Sequence, residues 1–183
     1  VSEAIGLAIP GSAGAPAPYE SRDEYAYHSG RIVMDLVRAN LRPRDILTRK
    51  AFENAATVVA ASGGSTNAGL HLPALASECG IEFDLHDVAE IFRRTPYIAD
   101  LKPGGKYVAR DMYEIGGVPV LIKALLDGGF IHGDCITVTG KTIAENIGDM
   151  KFPTDQVIIR TTDAPLSPTG GVVGLKGNLA PEG

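Results

Sequence analysis

Three glycine-rich runs punctuate this chain of 183 residues and mark turns between its periodic segments. The first is Ala61-Ser62-Gly63-Gly64-Ser65-Thr66-Asn67-Ala68, set between two stretches with helical spacing of apolar residues. The second spans Ala99 to Tyr107 around Pro103-Gly104-Gly105. The third runs from Gly128-Gly129 through His132-Gly133-Asp134 to Gly140-Lys141-Thr142.

Around these runs the spacing reads mostly as helix. Val1 to Leu7 reads as the last turns of a helix closing near Gly6, which implies helix upstream of residue 1 and a segment of something larger; Pro10 to Pro18 reads as loop. Ser21-Arg22-Asp23-Glu24 has the pattern of a capping box, opening a helix with Ile32, Val33, Leu36 and Val37 apolar and Asn40 as its stop. Asp45 or Thr48 caps the next, which carries Phe52, Ala55, Ala56, Val59 and Ala60 on one side and ends at Gly63-Gly64. A helix after Ser65 reaches Gly80, with Pro73 as a kink or a delayed start, and Asp84 opens another with Val88, Ile91 and Phe92 apolar. Pro119 suits the first turn of a helix bearing Leu121, Ile122, Leu125 and Leu126. Residues 141–147 read as a short helix, residues 97–99 and 107–109 as extended, and 135–138, 156–159 and 172–175 as strands. Helices dominate, so the expected class is α/β, a partial, helix-rich domain with few strands. The expected division is 1–162 as part of an N-terminal α/β domain, 163–170 as a linker of proline, serine and glycine, and 171–183 as the start of a β-rich second domain.

Composition bounds the partners. With 17 basic against 22 acidic residues the net charge is -5, which offers neither a nucleic-acid footprint nor a polybasic surface for lipid, so small molecules are the expected partners. No apolar run approaches the roughly 20 residues of a membrane span and no signal-peptide pattern opens the chain, which makes a cytoplasmic protein the default. Cys79 and Cys135 are far apart, without the spacing of a disulfide framework or a zinc site, and read as buried thiols.

The candidate site is the first glycine run. Gly63 and Gly64 let the backbone approach a ligand, while Ser65, Thr66 and Asn67 offer hydroxyls, an amide and the free N–H groups of a starting helix, a set suited to a carboxylate or phosphate. The bland alternative is a helix stop at Gly63-Gly64 followed by a cap at Ser65. Gly140-Lys141-Thr142 echoes a P-loop, but Cys135 stands where its first glycine belongs, and the nucleotide reading fails. His28, His71, His86 and His132 show no metal-ligand spacing, although His71 lies one turn beyond Asn67. Asp100, Lys102, Lys106, Arg110 and Asp111 read as a solvated, mixed-charge face.

Taken in order, these runs resemble the middle of the dihydroxy-acid and sugar-acid dehydratases, the iron-sulfur hydro-lyases. The likeness extends through Arg44-Asp45-Ile46-Leu47-Thr48, Ala51 to Ala55, Thr95-Pro96, Gly116-Gly117-Val118-Pro119, Thr137 to Thr142 and Gly177-Asn178-Leu179-Ala180-Pro181. It implies dehydration of 2,3-dihydroxy acids to 2-keto acids, as in branched-chain amino-acid biosynthesis, with an iron-sulfur cluster and magnesium as cofactors and a homo-oligomeric full-length parent. It also implies that the cluster cysteines, most magnesium ligands and the catalytic base lie outside this segment. No catalytic residue or metal ligand is therefore assigned here, and the segment alone is expected to be silent. Two alternatives stay open: a sugar-acid (aldonate) dehydratase segment, and a non-catalytic small-acid-binding module.

Overall fold

A computed structural model describes residues 1–179 and 181. It holds eight helices: α1 (Ser21–Ala39), α2 (Pro43–Ile46), α3 (Arg49–Ser62), α4 (Ala68–Glu78), α5 (Leu85–Arg94), α6 (Ala109–Glu114), α7 (Val118–Asp127) and α8 (Ile143–Ile147). The helix-rich reading holds.

Local signals set most helix ends. Gly6 at φ +92° closes the turn at the start of the chain, with the Leu7 amide donating to the Ser2 carbonyl and the Gly6 amide to Glu3. Asn40 and Gly63 take the left-handed conformation after α1 and α3, and Gly80, at φ +72°, does so just beyond α4. Thr48 caps α3 by accepting from the Ala51 amide, Asp84 and Asp87 cap α5 reciprocally, and Thr142 with Glu145 does the same for α8. Pro119 sits in the first turn of α7 and Pro73 lies inside α4. The capping box at Ser21 is not formed. The chain already turns helically at Tyr19 and Glu20, which places Ser21 inside the helix, and its hydroxyl pairs with that of Tyr113.

The strands differ most from expectation. Among the described residues only isolated bridges form: Tyr97 with Ser167, Ala99 with Ile159, Leu101 with Tyr107, and Ile136 with Thr142. Residues 135–138 make a turn in which the Thr137 amide donates to the Lys141 carbonyl, and Ala109 starts α6 instead of extending 107–109. Residues 158–160 pair with 98–100, the Asp100 amide donating to the Ile158 carbonyl and the Arg160 amide to Ile98, and the Gln156 side chain satisfies other backbone groups: its carbonyl accepts from the Ile158 and Ile159 amides, and its amide donates to the Ile159 and Pro153 carbonyls. Residues 172–175 form no bridge, and Val173 and Leu175 are exposed.

Helix α3 positions everything else. The expectation of one buried side is too narrow: Ala51, Phe52 and every residue from Asn54 to Ala61 are buried. One side joins α4 and α5 in a core around Phe52, Val59, Leu72, Phe83, Val88 and Phe92. The other meets α7 and α8 through Val58 and Ala61, in a core with Leu121, Ile122, Leu125, Ile143 and Ile159. Its alanines let both layers come close. Where residues 163–170 pass into 171–183 the chain is docked: the Gly170 amide donates to the Phe92 carbonyl and the Gly171 amide to Ala60.

Candidate functional site

The three glycine runs go to opposite ends of α3, about 20 Å apart for 14 residues at 1.5 Å each. The first two meet at its C-terminal end. Gly63 and Gly64 stop the helix, their amides donating to the Ala60 and Val59 carbonyls. Tyr97 lies across the turn: a β-carbon on Gly63 would stand 3.0 Å from Tyr97 Cε2, and one on Gly104 would stand 3.6 Å from Tyr97 Oη. Burial and the nearby Asp100 carboxylate push the Tyr97 phenol above its ordinary pKa, keeping it a hydrogen-bond donor.

Ser65 Oγ accepts from the Asn67 amide at 3.2 Å, a serine turn that leads into α4. The Ser65, Thr66 and Asn67 side chains face solvent, and Asn67 makes no side-chain cap. Gly63, Gly64, Ser65, Thr66 and Asn67 are thus held as one surface turn, in which the helix stop is realised and the Thr66 hydroxyl and Asn67 amide point outward. His71 is exposed one turn further on, with its backbone amide on the Asn67 carbonyl. Of the mixed-charge run, Asp111 accepts from the Val108 amide and Asp100 from Lys106, while Lys102, Lys106 and Arg110 are exposed.

The third run meets the other end of α3 in a polar network the sequence did not disclose. Asn54, fully buried, clamps His132 with both ends of its amide, donating to the carbonyl at 3.0 Å and accepting from the N–H at 2.8 Å. Glu53 lies 2.6 Å from His132 Nε2 and 3.0 Å from Arg49 Nε. Arg49 forks onto both Asp87 oxygens and stacks 4.8 Å over the Phe83 ring. Lys50 reaches Asp134 at 2.6 Å. Apart from Arg49 and Glu53, which are four residues apart, these partners lie 38 to 84 residues apart, so no spacing rule finds them.

Burial alone would raise the Glu53 carboxyl, but its bonds from Arg49 and His132 outweigh this and hold it below its ordinary 4.5. Its unfolded form therefore takes up protons first. The stability Glu53 confers is complete above pH 4.5 and is lost as pH falls through the lower folded value. Urea titrations at pH 7 and pH 4 should show Glu53→Gln narrowing the gap between the two; an unchanged gap would remove Glu53 from the acid response.

A buried carboxylate, Glu3, accepts from the Gly11 and Ala13 amides at 2.7 and 3.0 Å and fixes the 9–13 loop. Burial pushes it above its ordinary value, and the two amides pull it back. A groove of about 900 Å³ between α5 and residues 169–176 is lined by Leu85, Ala89, Phe92, Val172 and Leu175. Among the described residues no three His, Cys, Asp or Glu converge as metal ligands. Cys79 and Cys135 are separate, free thiols, and burial followed by the Asp134 charge pushes the Cys135 thiol up. The described residues therefore do not fit an iron-sulfur cluster or magnesium. No helix among them is long and apolar enough to cross a membrane.

A family model described as dihydroxy-acid/6-phosphogluconate dehydratase, N-terminal, matches residues 1–146. The chain belongs to the dihydroxy-acid/6-phosphogluconate dehydratase family. Among its relatives, dihydroxy-acid dehydratase 2 of Bradyrhizobium diazoefficiens is 69% identical over 183 residues, all of this chain and 32% of the relative. The dihydroxy-acid dehydratase of Parvibaculum lavamentivorans is 68% identical over the same length, and that of Sulfurisphaera tokodaii is 51% identical over 185 residues, or 33% of the relative. This member of the dehydratase family thus spans about a third of the length of the curated relatives it matches.

Proposed function

We propose that this chain is part of a hydro-lyase that dehydrates 2,3-dihydroxy carboxylic acids to 2-keto acids in branched-chain amino-acid biosynthesis. The observation that carries the reading is 69% identity, over the whole chain, to a protein named dihydroxy-acid dehydratase. The same naming among relatives at 51% favours a dihydroxy acid over an aldonate. The chain's part is scaffold: α3 carries one surface turn at its C-terminal end and a charged network at its N-terminal end. The turn from Gly63 to Asn67 contacts the substrate carboxylate through the Thr66 hydroxyl and Asn67 amide.

The iron-sulfur cluster and magnesium find no donor set among the described residues, so their ligands belong to other parts of the enzyme, and this chain alone is catalytically silent. Residues 1–162 belong to the N-terminal domain and 171–183 lead into a β-rich one; residues 180, 182 and 183 lie outside the described residues. The whole enzyme is proposed to be cytoplasmic and homo-oligomeric.

Amide chemical shifts of the chain titrated with 2,3-dihydroxyisovalerate and, separately, D-gluconate test the turn. The expected result is movement of the Gly64 to Asn67 signals with the first acid, weakened about 5- to 10-fold by Thr66→Ala, the equivalent of one hydrogen bond. A response only to D-gluconate would exchange the substrate class. No response would remove the turn from the site, and turnover by the isolated chain would refute its silence.

A further inference from the structure

Tyr97 is fixed in place from several sides while its hydroxyl stays free. The Tyr97 amide donates to the Ser167 carbonyl, the Leu166 amide donates to the Tyr97 carbonyl, and the Ile98 and Ala99 amides both donate to Ala61 at the end of α3. The ring lies across Gly63, and a β-carbon on Gly171 would stand 3.2 Å from its Cδ2. The residue is half-buried, yet Oη makes no hydrogen bond among the described residues and reaches solvent. A tyrosine packed this closely ordinarily finds its hydroxyl a partner.

Two glycines keep that hydroxyl uncovered. A β-carbon on Gly63, in the first run, would stand 3.4 Å from Oη, and one on Gly104, in the second, would stand 3.6 Å away. Gly63 needs its left-handed φ to stop α3, but Gly104 lies outside that region and its β-carbon would meet nothing else within 4 Å. Neither conformation nor room requires glycine at 104, and what its missing side chain leaves open is Oη. The second run is folded round Asp100, whose charge is near enough to act on the Tyr97 phenol. Asp100 Oδ1 accepts from the Lys106 amide at 3.1 Å, and a β-carbon on Gly105 would stand 2.4 Å from that oxygen, while Oδ2 accepts nothing among the described residues. A free donor beside a free acceptor is the pair that an alcohol satisfies, since its oxygen accepts one bond and its hydrogen makes another. Lys102 and Lys106, both exposed, outnumber this one acid within the run, so an anionic ligand is not repelled from it.

We propose that Tyr97 and Asp100 form a subsite for a hydroxyl of the dihydroxy acid, Tyr97 Oη donating to its oxygen and Asp100 Oδ2 accepting its hydrogen. The assignment rests on the turn from Gly63 to Asn67 taking the carboxylate, and it adds which part of the acid faces the second run. The two runs then divide the work of recognition. The first grips what every carboxylic acid carries, and the second selects acids that also carry a hydroxyl.

Tyrosine labelled with carbon-13 at Cζ reports on the hydroxyl, and the Tyr97 signal is the one of six that Tyr97→Phe removes. Titration of the chain with 2,3-dihydroxyisovalerate should move this signal together with the Gly64 to Asn67 amides. Isovalerate, which has the carboxylate and neither hydroxyl, should move the amides alone. Tyr97→Phe keeps the ring and should weaken the dihydroxy acid about 5- to 10-fold, the equivalent of one hydrogen bond, with isovalerate at the parent value. Gly104→Ala should do the same by covering Oη, with thermal stability unchanged because its β-carbon meets nothing nearer than 3.6 Å. If Tyr97→Phe binds the dihydroxy acid as tightly as the parent while Thr66→Ala binds it more weakly, the subsite is refuted and the turn stands. Equal weakening of both acids by Tyr97→Phe also overturns the subsite, since the ring then only supports the turn. Movement of the Tyr97 signal with unmoved amides upholds the subsite and removes the carboxylate from the turn, and no movement with either acid overturns both.

Discussion

Replacing Asn54 with alanine should destabilise the chain by about 3 kcal/mol, the sum of a buried hydrogen-bonded pair lost and a small cavity left. Asn54 is fully buried and supplies both halves of the clamp on His132, donor to its carbonyl and acceptor from its N–H. Alanine leaves both backbone groups without a partner at the point where the third glycine run meets α3. Since that clamp sets the height of His132 above Glu53, the 2.6 Å pairing between their side chains should loosen as well. Asn54→Asp discriminates the cause: it keeps the acceptor, loses the donor and adds a buried charge, so it should cost at least as much as alanine despite its matching size. Urea unfolding at pH 7 measures both, and an alanine variant within 1 kcal/mol of the parent would show that the clamp is dispensable.

The same residue shows which parts of the fold the sequence discloses. The stops at Gly63 and Gly80, the cap at Asp84, the cap at Thr48 as one of two candidates, and the early proline of α7 depend on residues close together in the chain, and these were legible; the Thr142 cap was not read. The strand expectations required partners far along the chain, and residues 156–159 meet that need only in part, through a single bridge to Ala99, the rest falling to one glutamine side chain. Glu3 holding the 9–13 loop and Asn54 holding His132 left no periodic trace for the same reason. The burial of α3 on two sides did leave one: Ala55 to Ala61 runs for seven residues without a charge, enough to cover every face of a helix. The candidate turn was legible as composition; in the structure Gly63 serves the helix stop and the exposed Ser65 the serine turn, while the Thr66 and Asn67 side chains, also exposed, serve neither.

Gly171→Ala should cost about 2–3 kcal/mol, the range for forcing extra volume into a packed contact. Its β-carbon would stand 2.6 Å from Gly63 Cα, 3.2 Å from Gly63 N and 3.2 Å from the Tyr97 ring, two of the three being backbone atoms that cannot swing away. Relief requires moving residues 169–172 off α3, which breaks the Gly171 amide bond to the Ala60 carbonyl, or shifting the stop at Gly63. The second route displaces the turn that carries Thr66 and Asn67. The substitution therefore separates the two parts of the structure: a loss of stability with unmoved Gly64 and Ser65 amide signals means the tail lifts, while a loss accompanied by shifts there means the tail sets the position of the turn. At Gly177 a β-carbon would meet nothing within 4 Å, so Gly177→Ala should leave both readouts at the parent value. A Gly171→Ala chain as stable as the parent would mean that the tail does not pack on the α3 terminus.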